Sequence, residues 1–462
     1  VKIDTLIRGG TVVTSSGRYA ADIGIKDGRI ALISADTSGI TADETIDASG
    51  KYIMPGAIDG HLHYQAPVRP NQEEVEYATQ AAAAGGITTG ICMTVTYTDS
   101  AEGYRSMQEY FRGKAYIDYA FHGFAKPTNI DRLEELWTKT GVAAVKAYTT
   151  YANKVGPREL YEIFEQGRRS KGLTMIHAEN DDLVKMFEDR LKAAGRKDPH
   201  AHVESRPPIV ETECVRQGIQ LLKETGSQAL FVHISTCEAL KDINEARVQG
   251  VKVFAETCPH YLFFNDEDIR KQGPYLAFTP VMRDEENRLG LWELLDKGFV
   301  TVIGSDHCPC EKEVKEASWD DIWKTHFGLS SLEAFMPVLF DGVNKGLASL
   351  ERIVQITSEN PAKVYGLYPK KGFIGIGADA DLIMVDMDKE YALEEKDLKA
   401  KSGWSPFLGI LLKGWPVLTM VRGQVVMKDM KTVGAQGFGE EAPRMYPFEL
   451  GPDLSFAGSG GR

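Results

Sequence analysis

Along most of the chain, short unbroken apolar runs are separated by stretches in which apolar residues return every three to four positions. The first texture marks strands buried on both faces, and the second marks amphipathic helices. Eight runs, at 53–63, 87–95, 117–125, 142–149, 173–179, 229–235, 251–259 and 299–307, alternate with helical patterns such as 73–84, 157–169 and 210–225. Such alternation predicts parallel strands joined by crossovers, and eight of them close a (β/α)8 TIM barrel. The flanks read differently. Residues 1 to about 50 alternate apolar and polar with period two, and 21–33 forms two strands about the Asp27-Gly28 turn. The same texture returns after residue 370, at 381–386 and 418–426. The two flanks are expected to pair as one small β-sandwich beside the barrel. The organisation predicted for this α/β chain is an N-terminal sandwich segment at 1–52, the barrel at 53–368, a C-terminal sandwich segment at 369–440 and a tail at 441–462. The tail ends in a Gly/Ser-rich stretch, expected to be disordered or a packing arm for a neighbouring subunit.

Composition narrows the class of partner. The net charge of -13 lacks the clustered Lys and Arg of a nucleic-acid footprint. No apolar run reaches membrane-spanning length, and Val1-Lys2-Ile3-Asp4 shows no export signal. Cys92, Cys214, Cys237, Cys258, Cys308 and Cys310 are scattered, mostly beside apolar runs, and read as buried reduced thiols. The expectation is a cytoplasmic protein with neither a nucleic-acid nor a membrane partner.

Six chemistry-bearing residues sit at the ends of these runs: His61, His63, Lys146, His177, His233 and Asp306. Residues i and i+2 of a strand face the same way, so His61 and His63 present two imidazoles to one side. Any one of these histidines alone is more often a satisfied core residue than a ligand. Four at one end of one barrel read as metal ligands, because crowded buried imidazoles otherwise repel on protonation. Neutral nitrogen donors suit Zn²⁺ best, and two divalent ions are expected. Lys146 is electrostatically hostile to cations, and its bland reading is a side chain reaching out to solvent. It lies, however, inside the apolar run 141–148. Burial favours the neutral amine, which can take up CO₂ and become an anionic carbamate able to bridge two metals. Asp306, after Gly304 and Ser305, is expected to move a proton between a metal-bound water and a leaving nitrogen. Such a water can have a pKa of about 7.

In this order and context the residues resemble the amidohydrolase superfamily, and more narrowly the cyclic amidases of the hydantoinase and dihydropyrimidinase family. The resemblance runs through Pro55-Gly56-Ala57-Ile58-Asp59-Gly60-His61-Leu62-His63, His177-Ala178-Glu179-Asn180, Glu256-Thr257-Cys258-Pro259-His260-Tyr261-Leu262 and Gly304-Ser305-Asp306-His307-Cys308-Pro309. It implies hydrolysis of 5-substituted hydantoins or dihydropyrimidines to N-carbamoyl amino acids by a hydroxide bridging two metals, in a homotetramer or homodimer. It also implies that Tyr151 donates to the oxyanion and that Thr279, in Phe278-Thr279-Pro280-Val281-Met282-Arg283, grips the cyclic amide. Two departures bear on the substrate. Dihydroorotases usually carry an arginine just after the His-x-His, where this chain has Tyr64, with Arg69 further on. Phe327 stands where many hydantoinases place a substrate-binding asparagine; the expectation is either a preference for a hydrophobic exocyclic group or backbone atoms in place of the polar clamp. Allantoinase and then dihydroorotase are the alternative activities. A non-catalytic scaffold of the dihydropyrimidinase-related kind would have lost ligands that are all present here.

Overall fold

The computed structural model describes residues 2–63, 74–93 and 97–444. Val95, Tyr64, Arg69 and the tail from 445 onward lie outside the described residues.

Eight parallel strands form the barrel: Ala57–Leu62, Ile87–Cys92, a third strand in two pieces (Asp118–Phe121 and Gly123–Phe124), Val145–Tyr148, Thr174–His177, Gln228–Phe231, Lys252–Thr257 and Val302–Ile303. The third strand breaks at His122, which donates a ring proton to Gly60 O at 2.8 Å. Its first piece pairs with the second strand and its second piece with the fourth. The eighth strand closes on the first: Asp306 N donates to His61 O at 2.7 Å, and His63 N to His307 O at 2.8 Å. Helices such as Pro157–Ser170 and Pro208–Thr225 cover the outside. Among the described residues no helix is long and apolar enough to cross a membrane.

The first predicted strand, 53–63, is split. Tyr52–Pro55 leaves the barrel and pairs with Leu382–Ala392 and Thr11–Thr14 in a seven-stranded sheet. Only after Gly56, where a Cβ would meet Thr88 Cγ2 at 2.2 Å, does the chain enter the barrel. Residues 53–55 therefore belong with the flanking sheet. An apolar run buried on both faces reads the same in either setting, so pattern alone does not separate them.

The seven-stranded sheet packs on a four-stranded one built from Ile3–Arg8, Asp22–Lys26, Arg29–Ser34 and Ala42–Asp47. Ile7, Val12, Ile23, Ile53, Leu382 and Met420 share the core between them, so both flanks of the sequence contribute to one sandwich. Residues 441–444 continue along the barrel: Ala442 N donates to Tyr119 O at 2.7 Å and Arg444 N to Gly141 O at 3.1 Å.

The first barrel strand has an irregular register between Asp59 and Leu62. In a regular strand Ile58 and Leu62 would face the same way. Here Ile58 packs in the barrel interior with Met175 and Leu230, whereas Leu62 packs outward. The extra residue re-aims the strand end, as bulges beside active sites do.

Candidate active site

The re-aimed strand end carries His61 and His63 inward, where they meet groups from four other barrel strands and the turns that follow them. His61 Nε2 lies 3.2 Å from Asp306 Oδ1, and His63 Nε2 lies 3.1 Å from the same oxygen. His177 Nδ1 faces His233 Nε2 at 2.9 Å. Lys146 Nζ lies 3.5 Å from His61 Nε2 and 5.0 Å from the centre of the Tyr148 ring. All six side chains are buried. The sequence-expected set is thus gathered at one point: His61, His63, His177, His233 and Asp306 line a cavity of about 370 Å³, with Lys146 against His61.

Backbone strain accompanies the gathering. His233, Asp306 and Tyr151 adopt left-handed φ values of 41°, 44° and 69°. Non-glycine residues avoid this region unless their surroundings over-determine it, and such strain clusters at functional sites.

The electrostatics favour metal donors. Burial holds the His61 and His233 imidazoles well below their usual pKa, leaving ring lone pairs free. Burial alone would raise the Asp306 carboxyl, but His61, His63 and His233 together hold it well below the usual carboxylate range. Burial pushes the Lys146 amine down to about 8, and no carboxylate among the described residues lies within ion-pairing distance of it. Donor atoms of His61, His233 and Asp306 all lie within 4.8 Å of one another, and the ring Nδ1 atoms of His63 and His233 are buried without hydrogen-bond partners. Imidazole nitrogens converging on one carboxylate fit a divalent metal of the zinc type.

The walls hold the remaining expected residues. Tyr151 and Thr279 share a hydrogen bond, and the Tyr151 ring sits 5.2 Å from that of His177. Phe327 lines the cavity with its ring stacked on His202, centroids 4.2 Å apart and planes 8° from parallel. Phe124, Tyr148 and Phe278 complete an aromatic rim.

Two carboxylates behind the histidines were not singled out from the sequence. Glu256 Oε1 lies 2.6 Å from His61 Nδ1 and accepts from His233 N at 3.1 Å. Burial pushes Glu256 up to about 8. Glu179 Oε2 lies 2.9 Å from His177 Nε2. Burial would raise Glu179 as well, but the bond from His177 and the Arg206 charge outweigh it, and its carboxyl stays below the usual range. A third carboxylate, Asp59, ties strands one and eight by accepting from His61 N and Ser305 N, each at 3.0 Å. The available signal was a carboxylate two residues from a histidine, at Asp59 and Glu179. Glu256 is 195 residues from His61, and no local signal joins them.

Residues 52–426 match the model of the amidohydrolase family. The chain is 35% identical over 450 residues to an L-hydantoinase of Paenarthrobacter aurescens, covering 96% of this chain and 98% of that one. It is 35% identical over 455 residues to a D-hydantoinase of Geobacillus stearothermophilus, covering 95% and 96%. The solved structure of an L-hydantoinase (dihydropyrimidinase) from Arthrobacter aurescens superposes with a TM-score of 0.93 at 34% identity, covering 96% of this chain and 100% of that one.

Proposed function

The chain belongs to the amidohydrolase family, and on that premise we propose that it hydrolyses a cyclic amide bond in 5-substituted hydantoins or dihydropyrimidines, releasing N-carbamoyl amino acids. One observation carries the reading: four imidazoles and the Asp306 carboxylate line one cavity, and a buried amine with no carboxylate partner among the described residues lies 3.5 Å from one of those imidazoles.

His61, His63, Lys146, His177, His233 and Asp306 would hold two zinc-type ions. Lys146 suits that role as a carbamate: its amine, pushed down to about 8, adds to CO₂ with loss of one nitrogen proton. This turns a misplaced cation into an anion. Bound metal ions would supply Lewis acidity and a water that ionises near neutral pH.

The protein's own groups do the rest. Asp306, held ionised, accepts the proton from the attacking water and returns it to the ring nitrogen as the C–N bond breaks. The Tyr151 hydroxyl, at the cavity wall beside Thr279, donates to the oxygen that gains charge on the attacked carbonyl. One such donor is typically worth about 3 kcal/mol. Thr279 takes the other face of the amide, and the Phe327 and Phe278 rings shield the ring substituent from water.

The test is to reconstitute the protein with zinc and incubate it with 5-substituted hydantoins of both hands, dihydrouracil, allantoin and dihydroorotate. Turnover of the hydantoins or dihydrouracil is expected. Opening of allantoin or dihydroorotate alone would keep the chemistry and overturn the substrate. A CO₂-sized mass increment on the peptide carrying Lys146, under conditions that preserve carbamates, is expected in the zinc-loaded protein.

A further inference from the structure

Behind His177 a buried chain of contacts leads to the cavity wall. Glu179 is fully buried, and its Oε2 accepts a hydrogen bond from His177 Nε2 at 2.9 Å, which leaves His177 Nδ1 as the lone-pair nitrogen turned toward His233. The other carboxylate oxygen, Oε1, lies 3.5 Å from Nε of Arg206, a guanidinium only 3% exposed. Arg206 is gripped on its remaining sides. Its Nη2 pairs with Glu188 at 3.1 Å, and its Nη1 donates to Ser205 Oγ at 2.9 Å and to His202 Nδ1 at 3.3 Å. His202 in turn donates from Nε2 to the carbonyl of Phe278 at 2.7 Å and stacks on Phe327. The Arg206 guanidinium also lies over the Phe327 ring, 5.5 Å from its centre. Phe278 and Phe327 both face the cavity.

We infer that Glu179 and Arg206 are positioning residues: Arg206 holds Glu179, Glu179 fixes His177 with Nδ1 toward the cavity, and the contact of Arg206 and His202 with Phe327 ties that alignment to the wall the substrate's ring substituent touches. A carboxylate hydrogen-bonded to a ligating histidine sets its tautomer and ring angle, and losing such a partner typically lowers metal affinity 10–100-fold. The arrangement here adds a second link. His202 cannot move away from Phe327 without stretching its bond to Phe278 or its bond from Arg206. A bulky 5-substituent pressing on Phe327 therefore loads the same arginine that steadies His177, whereas an unsubstituted ring leaves it untouched. The His61–Glu256 pair has no arginine of this kind within ion-pairing distance among the described residues. The substrate arm of the inference rests on the hydantoin-type reading; the metal arm does not.

The experiment compares wild type with Arg206→Met, Arg206→Lys, Glu179→Gln and Phe327→Leu. Zinc affinity at each of the two sites is read by competition with a chromophoric chelator. Arg206→Met is expected to lose about tenfold or more in affinity for one of two zinc ions, with partial recovery in Arg206→Lys. The kcat and KM are then measured for 5-benzylhydantoin and unsubstituted hydantoin. Phe327→Leu is expected to raise KM for the benzyl substrate more than for hydantoin, and Arg206→Met to lower kcat more for the benzyl substrate. A folded Arg206→Met that binds both zinc ions as wild type does, with the His177 ring unmoved in its crystal structure, overturns the inference. Should Arg206→Met not fold, Glu179→Gln decides by the same affinity criterion, since it keeps an oxygen for His177 and removes the charge Arg206 pairs with. A wild type that binds zinc but opens no hydantoin sinks the proposed substrate and leaves the affinity comparison standing. If wild type took up no zinc, the His177 ring position in metal-free crystals of Arg206→Met and wild type would decide, an unmoved ring counting against the relay.

Discussion

Lys146 and Lys371 are each 1% exposed, and each is surrounded by ionisable groups, yet their surroundings are opposites. Lys371 sits where the barrel's third strand begins. Its Nζ reaches Asp118 at 2.6 Å, Asp381 at 2.7 Å and Asp379 at 3.2 Å. Burial would lower its pKa, but Asp381, Asp118 and Asp379 outweigh it and hold the amine protonated above the usual lysine range. Lys146, among the strand-end histidines, has His61 Nε2 at 3.5 Å and no carboxylate among the described residues in ion-pairing range, and burial lowers it to about 8. One lysine is satisfied and ties the barrel to the sandwich. The other is left uncompensated, the setting that the proposed carbamate would relieve. Burial alone therefore does not distinguish a compensated lysine from an uncompensated one; the partner set does.

The largest expected effect separates the two by activity. Lys146→Met should abolish zinc binding and lower hydantoin turnover by about 10³-fold or more, on the scale of losing acid–base or metal function. Turnover within tenfold of wild type would remove Lys146 from the site. Asp306→Asn should lower kcat by about 10²–10⁴-fold while keeping most of the zinc, as proton loss without ligand loss requires. Near-normal kcat would assign the proton to another group.

Stability comes next, and should reverse the order. Lys371→Met leaves three buried carboxylates short of a partner and is expected to cost about 3–5 kcal/mol in denaturant unfolding. Lys146→Met removes an unpaired buried amine. It should leave the metal-free protein as stable as wild type or more so at pH 7.

The pH dependence sharpens this. The Lys146 amine titrates at about 8 folded, against 10.5 for an ordinary lysine. Between those pH values the unfolded chain holds more protons, so rising pH stabilises the fold, by on the order of 3 kcal/mol from this group. Metal-free wild type should gain stability across that window relative to Lys146→Met. Lys371 has the opposite sign: its contribution is complete below 10.5 and is lost as pH rises toward its raised folded value. Wild type and Lys146→Met with parallel stability curves from pH 8 to 10.5 would place the amine in a less buried setting. The smallest effect belongs to Arg422→Met at the same ionic cluster as Lys371. Arg422 shares Asp118 at 3.1 Å, pairs with the exposed Glu440 at 3.0 Å and retains partial solvent access, so a loss of about 1–2 kcal/mol is expected.

Much of the molecule was legible in the chain because the information is local. Unbroken apolar runs alternating with helical periodicity define the barrel, and period-two flanks define the sandwich, since each pattern reports which faces of its own element are buried. The His-x-His pair and the strand-end positions of Lys146, His177, His233 and Asp306 were readable for the same reason. Chain order then fixes which ends of parallel strands lie together.

Other features depend on groups that meet across long stretches of chain. No local pattern shows that Tyr52–Pro55 pairs with Leu382–Ala392, or that an irregular register between Asp59 and Leu62 turns the histidines inward. Nor does one show that Glu256 backs His61, or that Arg206 reaches both Glu179 and the Phe327 ring. The two lysines make the same point. Each lies in or beside apolar sequence, and only the folded chain decides that Lys371 meets three aspartates and Lys146 none. The sequence by itself determined the elements, their order and the chemical types available. The tertiary structure decided which charges are compensated, because a buried group's state depends on the dielectric and the partners that distant segments bring to it.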